Sequence, residues 1–88
     1  MMNLQKSVYA FERHFANTGL LESKSFYCDA ITFDKLLKKW MELSIRIGPA
    51  QFKVYRHVNH TKILVKNMLL NNGEKPKMLS LKDNSWLF

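Results

Sequence analysis

Eighty-eight residues carry a net charge of +7, a single cysteine and 47% hydrophobic side chains. These numbers allow one small domain, exclude an internal disulfide and argue against a disordered polyelectrolyte. No apolar run reaches the roughly 18 residues of a membrane helix.

The opening stretch MMNLQKSVYAFERHF lacks the apolar block of a secretory signal. With Glu12 and only two basic residues it is also a poor mitochondrial presequence. Within it, Leu4, Val8, Phe11 and Phe15 recur at helical spacing with Lys6 and Arg13 opposite, which predicts a first helix ended by Asn17-Thr18-Gly19. Residues 20–31 are irregular. Thr32 then offers an N-cap, and Phe33, Leu36, Leu37, Trp40 and Leu43 predict a second helix stopped by Gly48-Pro49. Both stripes read as core. The segment FKVYRHV alternates as a strand does. The stretch TKILVKNMLLNNG fits either a second strand, giving a hairpin, or a short helix from Thr61 to Asn71-Asn72-Gly73. In that helix Lys62 and Lys66 share a face. The tail EKPKMLSLKDNSWLF is basic and broken by Pro76.

Charge is distributed unevenly. Residues 1–44 are close to balanced at net +1, whereas residues 45–88 hold eight Lys/Arg against Glu74 and Asp83, a net of +6. No acid occurs between Ile45 and Gly73. One-sided charge of this kind points to a polyanion partner for the second half. Its centre is YRHVNHTK, residues 55–62.

The chemistry of most enzymes finds no support. His57 and His60 are three apart, but His14 and Cys28 lie far off and no CxxC pair exists, so zinc has no ligand set. Phosphate loops and nucleophile elbows have no motif. A metal-free ribonuclease using His57 or His60 as base, with Arg56 or Lys62 stabilising the phosphate, is the enzymatic alternative. A second alternative is a small DNA-binding regulator of phage or plasmid origin, reading DNA with 32–47 and a hairpin wing at 52–66. An inhibitor that binds another protein through its apolar stripes is a third.

Read with its flanks, YRHVNHTKILVKNMLLNNG resembles a segment of the small-subunit ribosomal protein fourteen family. Tyr55-Arg56, Thr61-Lys62, Ile63, Val65, Lys66, Met68 and Gly73 fit its C-terminal part. Leu81-Lys82, followed by Ser85-Trp86, fits its closing motif, and Tyr9, Ala10 and Arg13 fit its first helix. The chain departs from the family in having Ser44-Ile45-Arg46-Ile47 where an arginine-rich centre is usual, in lacking the CxxC pairs that hold zinc in many members, and in continuing past Trp86.

The resemblance implies a divergent, cysteine-poor, organellar member and a helix at 61–72. The expected fold is mainly α with extended irregular segments: two N-terminal helices, a basic extended segment, a short C-terminal helix and a tail. The alternative is α+β with a C-terminal β-hairpin. Residues 1–47 form the helical part and 48–88 the basic RNA-contacting part of a single domain. The expected function is a structural constituent of the ribosome, without enzymatic activity. It binds small-subunit rRNA in the subunit head beside neighbouring ribosomal proteins, with no membrane, cofactor, metal or small-molecule substrate. The expected location is the mitochondrion, with the chain encoded there, and the alternative is a bacterial or phage-infected cytoplasm. Lys53, Arg56, Lys62, Lys66, Lys77 and Lys82 are the expected phosphate contacts, Tyr55, His57 and Trp86 the expected stacking ones, and Arg46 a further expected RNA-binding residue.

Overall fold

The computed structural model describes residues 5–88. Along the chain run β1 (Lys6–Phe15), β2 (Leu21–Asp29), α1 (Ala30–Ile47), β3 (Ala50–Val58), β4 (Thr61–Leu70) and the two-residue β5 (Lys77–Met78). The strands form one antiparallel sheet in the order β2-β1-β3-β4-β5, with α1 packed on one face. The mainly α fold expected from the sequence is therefore overturned. Of the described residues outside the sheet, only 30–47 form a helix, and both the first helix and the helix at 61–72 are strands.

The first stripe misleads because of Arg13. Leu4 lies outside the described residues. In β1 the side chains alternate, so Phe11 and Phe15 face α1 together with Tyr9 and Arg13, while Ala10, Glu12 and His14 face away. A charged residue at an inward position hides the two-residue period. Arg13 is 7% exposed and fully engaged. Its Nε donates to Glu22 Oε2 at 2.9 Å and its Nη1 to Ser44 Oγ at 3.0 Å, and the guanidinium lies over the Trp40 ring. One side chain thus ties β1, β2 and α1 together, with its charge paired as burial requires.

Asn17-Thr18-Gly19 does end an element, but as the turn from β1 into β2, where Gly19 takes φ +70°. The helix 30–47 buries Phe33, Leu37 and Ser44 against the sheet, and Tyr9 stacks on Phe33 at 4.8 Å. Its N-cap is Asp29 rather than Thr32. Asp29 accepts from the Thr32 backbone N–H and from its hydroxyl, both at 2.8 Å, and these bonds hold its carboxyl below its ordinary pKa. Gly48 closes the helix by donating its N–H to Ser44 O at 3.1 Å.

The strands β3 and β4 form a hairpin. Val58 pairs with Thr61, leaving Asn59 (φ 49°) and His60 (φ 64°) as the two central residues of a type I′ turn. Farther along, Val54 pairs with Lys66 but Tyr55 with Leu64, so Val65 is an extra residue in β4. This bulge shifts the alternation of TKILVKNMLL by one, which is why the stretch fits no clean strand pattern. It also puts Lys62 and Lys66 on opposite faces, not on one. Beside α1 an apolar groove of about 420 Å³ remains, floored by Tyr9, Phe33 and Val54, with Asp34 and Lys66 at its sides.

After β5 the chain returns across the opposite face of the sheet. Asn67 donates to Ser80 O at 3.4 Å and the Leu87 N–H donates to Gln51 Oε1 at 2.8 Å. Both faces of the central strands are therefore covered, one by a helix and one by an irregular tail.

A non-glycine residue in the left-handed region costs roughly 1–2 kcal/mol, offset in part by the entropy glycine loses. We expect His60→Gly to stabilise the fold by about 0.5–1 kcal/mol and to raise the melting temperature by a few degrees. Thermal unfolding followed by circular dichroism checks this, and a lower melting temperature would contradict the turn assignment.

Candidate nucleic-acid interface

Ten residues are expected from the sequence to contact RNA, and the fold divides them into three groups. Arg56, His57 and Lys62 lie near the tip of the β3–β4 hairpin and Lys66 midway along β4, opposite Val54, all four exposed. They stand on both faces of the ribbon. Arg56 shares the helix side with Lys66, while His57 and Lys62 pair across the other side. The bulge at Val65 produces this split. His60 joins them at the turn, and neither β3 nor β4 carries an acid. Acids approach from other elements: the carboxylate of Glu12 in β1 lies 3.6 Å from Lys62 Nζ, and Asp34 of α1 lines the groove that Lys66 also lines. Both side chains of the Glu12–Lys62 pair retain solvent exposure, so it contributes little and Lys62 stays available.

Arg46, Lys77 and Lys82 belong elsewhere. Arg46 is in the last turn of α1, next to where β3 begins, and the length of β3 separates it from the tip by about 25 Å. Lys77 pairs with Leu69 near the far end of β4, and Lys82 is exposed in the tail. These three do not join the hairpin cluster.

The third group is buried. Lys53 is 1% exposed and Tyr55 7%, while Trp86 is half-buried. As the protein stands, Lys53 and Tyr55 are enclosed, while Trp86 keeps part of its surface in solvent. Lys53 faces the tail side of the sheet. Its ammonium donates to the Asn84 carbonyl and lies 4.0 Å from the centroid of the Trp86 ring. It forms no ion pair among the described residues. Desolvation lowers its pKa, opposed by the charges of Glu12 and Asp83. Tyr55 lies under Lys62, whose ammonium is 4.0 Å from its ring centroid. Burial, with a hydrogen bond to Glu12, pushes its hydroxyl well above the ordinary tyrosine range.

Gln51, Asn67 and His14 were not anticipated. Gln51 and Asn67 are fully buried beside Lys53, and Gln51 Nε2 donates to Asn67 Oδ1 at 2.9 Å. His14 stands edge-on to Trp86 at 5.5 Å, and its Nδ1 is buried without a hydrogen-bond partner. The sequence holds one clue: Gln51, Lys53 and Tyr55 alternate with Phe52 and Val54, which marks a strand with a polar second face. Nothing in the pattern says that the tail covers it. Among the described residues no three His, Cys, Asp or Glu side chains converge on a point that could hold a metal ion.

A buried cation without a carboxylate partner is costly, so Lys53 is a poor stabilising choice for its position. We expect Lys53→Met, which keeps the stem, to leave the melting temperature unchanged or raise it by an amount equivalent to about 1 kcal/mol. A fall of several degrees would show that the ammonium contributes to folding. Comparison of the chain with protein-family models, with curated proteins and with solved structures found no match.

Proposed function

We propose that this protein is a non-enzymatic RNA-binding protein that grips phosphate with the end of its β3–β4 hairpin. The observation that carries this reading is the hairpin itself. Arg56, Lys62 and Lys66 project from two strands that contain no acid, Arg56 and Lys62 close to a turn that adds His60 and Lys66 farther along β4 on the same face as Arg56. Each contact would release counterions and make binding salt-dependent. Arg56 adds a planar guanidinium that can grip phosphate bidentately or stack on a base, which a lysine cannot do. His57 and His60 supply further hydrogen-bonding groups beside these charges.

In its most specific form the partner is small-subunit ribosomal RNA of the subunit head, next to neighbouring ribosomal proteins, in an organellar ribosome. Two things support that form: the concentration of charge in the second half, and the resemblance through Tyr55-Arg56 and Thr61-Lys62. The helix that the resemblance implied at 61–72 is a strand, so this form rests on charge and motif rather than on fold.

The charge-reversed double variant Arg56→Glu, Lys66→Glu should bind a structured RNA at least about tenfold more weakly at physiological salt. Its slope of log affinity against log salt should be smaller by about 1.4 to 1.8, from two lost contacts. Filter binding across a salt series measures both, and an unchanged slope would exclude the hairpin as the contact. In cells, crosslinks from the hairpin should concentrate in the head of small-subunit rRNA, and Arg56→Glu should prevent incorporation into the particle. Crosslinks scattered over mRNA or DNA, or none, would sink the ribosomal form.

A further inference from the structure

The tail side of the sheet has the components of a ligand site and an occupant already in it. Across the central strands lie the Lys53 ammonium, the Gln51 and Asn67 amides and the His14 imidazole, all beneath residues 79–88. Such a row is an unusual choice for a surface that is meant to stay covered, because apolar side chains would bury there at lower cost. The cover is also loose. A space of about 140 Å³ remains between sheet and tail, lined by Gln51, Asn67, Ser80, Asp83 and Ser85 among others. The apolar residues of the tail are only partly covered: Leu81, Leu87 and Phe88 are 49%, 57% and 43% exposed, and Leu79 and Trp86 are half-buried. What holds the tail is polar and aromatic. The Asn84 carbonyl sits on Lys53, the Leu87 N–H on Gln51, and the Trp86 indole lies against Lys53 and the edge of His14.

Those contacts are of the kind a nucleotide makes. A flat π system lies on a cation and against an imidazole, a carbonyl oxygen accepts from an ammonium, and an N–H donates to an amide oxygen. His14 Nδ1, buried and unpartnered, is a group the tail leaves unsatisfied. Removal of the tail also removes the Asp83 carboxylate, whose charge acts on Lys53. Glu12, whose charge also acts on Lys53, remains on the sheet 3.6 Å from Lys62 Nζ. Lys82 leaves with the same segment, so opening uncovers Lys53 without changing the net side-chain charge of the face.

We propose that this face of the sheet is a platform for single-stranded nucleic acid, kept closed by the protein's own C-terminal tail. An unpaired base takes the place of Trp86 on Lys53 and His14, the Gln51 and Asn67 amides meet its edge, and backbone phosphate neutralises Lys53. The inference rests on the reading that the partner is a nucleic acid, but uses a different face from the hairpin tip. Duplex regions are left to the hairpin, and only strands with free bases compete with the tail.

The test uses the full chain and fluorescein-labelled oligouridine, oligothymidine and a duplex of matched length, read by anisotropy. Binding to a partly closed site is weakened by the fraction of molecules that are open. Trp86→Ala should therefore bind oligouridine about tenfold more tightly than the unaltered protein. Adding Lys53→Met should cancel that gain. A gain for oligothymidine as well assigns a platform indifferent to the sugar, and a gain for oligouridine alone assigns RNA. Equal or weaker binding by Trp86→Ala, a gain that survives Lys53→Met, or an equal gain for the duplex would each overturn the proposal. A second readout needs no altered tail. Of the two tryptophan indole N–H signals in the NMR spectrum, that of Trp86 should move on addition of oligouridine towards a solvent-exposed position while that of Trp40 stays. A stationary Trp86 signal at saturation would also overturn it. Failure of the hairpin reading shows separately, as unchanged binding of structured RNA by the Arg56→Glu, Lys66→Glu variant.

Discussion

Pairing of β1 with β3 sets Phe11 beside Val54 and, one step along, Glu12 beside Lys53. Because side chains alternate, this register sorts the two central strands into an apolar face and a polar one. On the first, Phe11, Phe15, Phe52 and Val54 meet Phe33 and Leu37 of α1, and Arg13 fixes the helix through Ser44 while satisfying its charge on Glu22. On the second, Gln51, Lys53, Glu12 and His14 are left facing away from the core. A slip of one residue would exchange the faces and bury the polar set under the helix. The rest of the molecule follows from that constraint, including the need for a tail to lie where it does.

The hairpin is where this arrangement reaches outward. Its strands are anchored at one end by Ala50, Phe52, Met68 and Leu70 in the core, while the tip around Asn59–His60 carries only exposed side chains. The bulge at Val65 divides the charges between the two faces. Arg56 and Lys62 stand beyond the buried part of the hairpin, whereas Lys66 lies at its border, opposite Val54. The polar face of the sheet is a second, more guarded part of the molecule, with the buried Lys53 ammonium held by a carbonyl and a ring rather than by a carboxylate.

Several features are legible in the residues alone. The helix 30–47 announces itself through Phe33, Leu37 and Trp40 with the stop at Gly48-Pro49, and FKVYRHV reads as a strand from its alternation. The stretch 6–15 does not, because Arg13 occupies an inward position and Val8 an outward one, so the phenylalanine spacing mimics a helix. The residues 21–29 give no pattern because β2 is an edge strand whose inward side carries Glu22 and Lys24. Those two are satisfied by Arg13 and by the Trp40 ring rather than by apolar burial. In 61–70 the extra Val65 breaks the period. In each case local pattern fails where a long-range partner changes what a position can tolerate.

By itself, then, the sequence determined the placement of charge: a chain with no acid between Ile45 and Gly73 presents cations whatever its fold. It also determined one helix and one strand, whose periodicities are set by residues that solvate or bury independently of their neighbours. The tertiary structure decided which cations are usable. Arg56, Lys62 and Lys66 reach solvent together, Arg46, Lys77 and Lys82 are carried to other parts of the molecule, and Lys53 disappears beneath the tail. Charge is a property of the residue, whereas exposure and proximity depend on strand register, on one bulge and on a tail that folds back from outside the sheet. Those are contacts between residues distant in the chain, and no local window contains them.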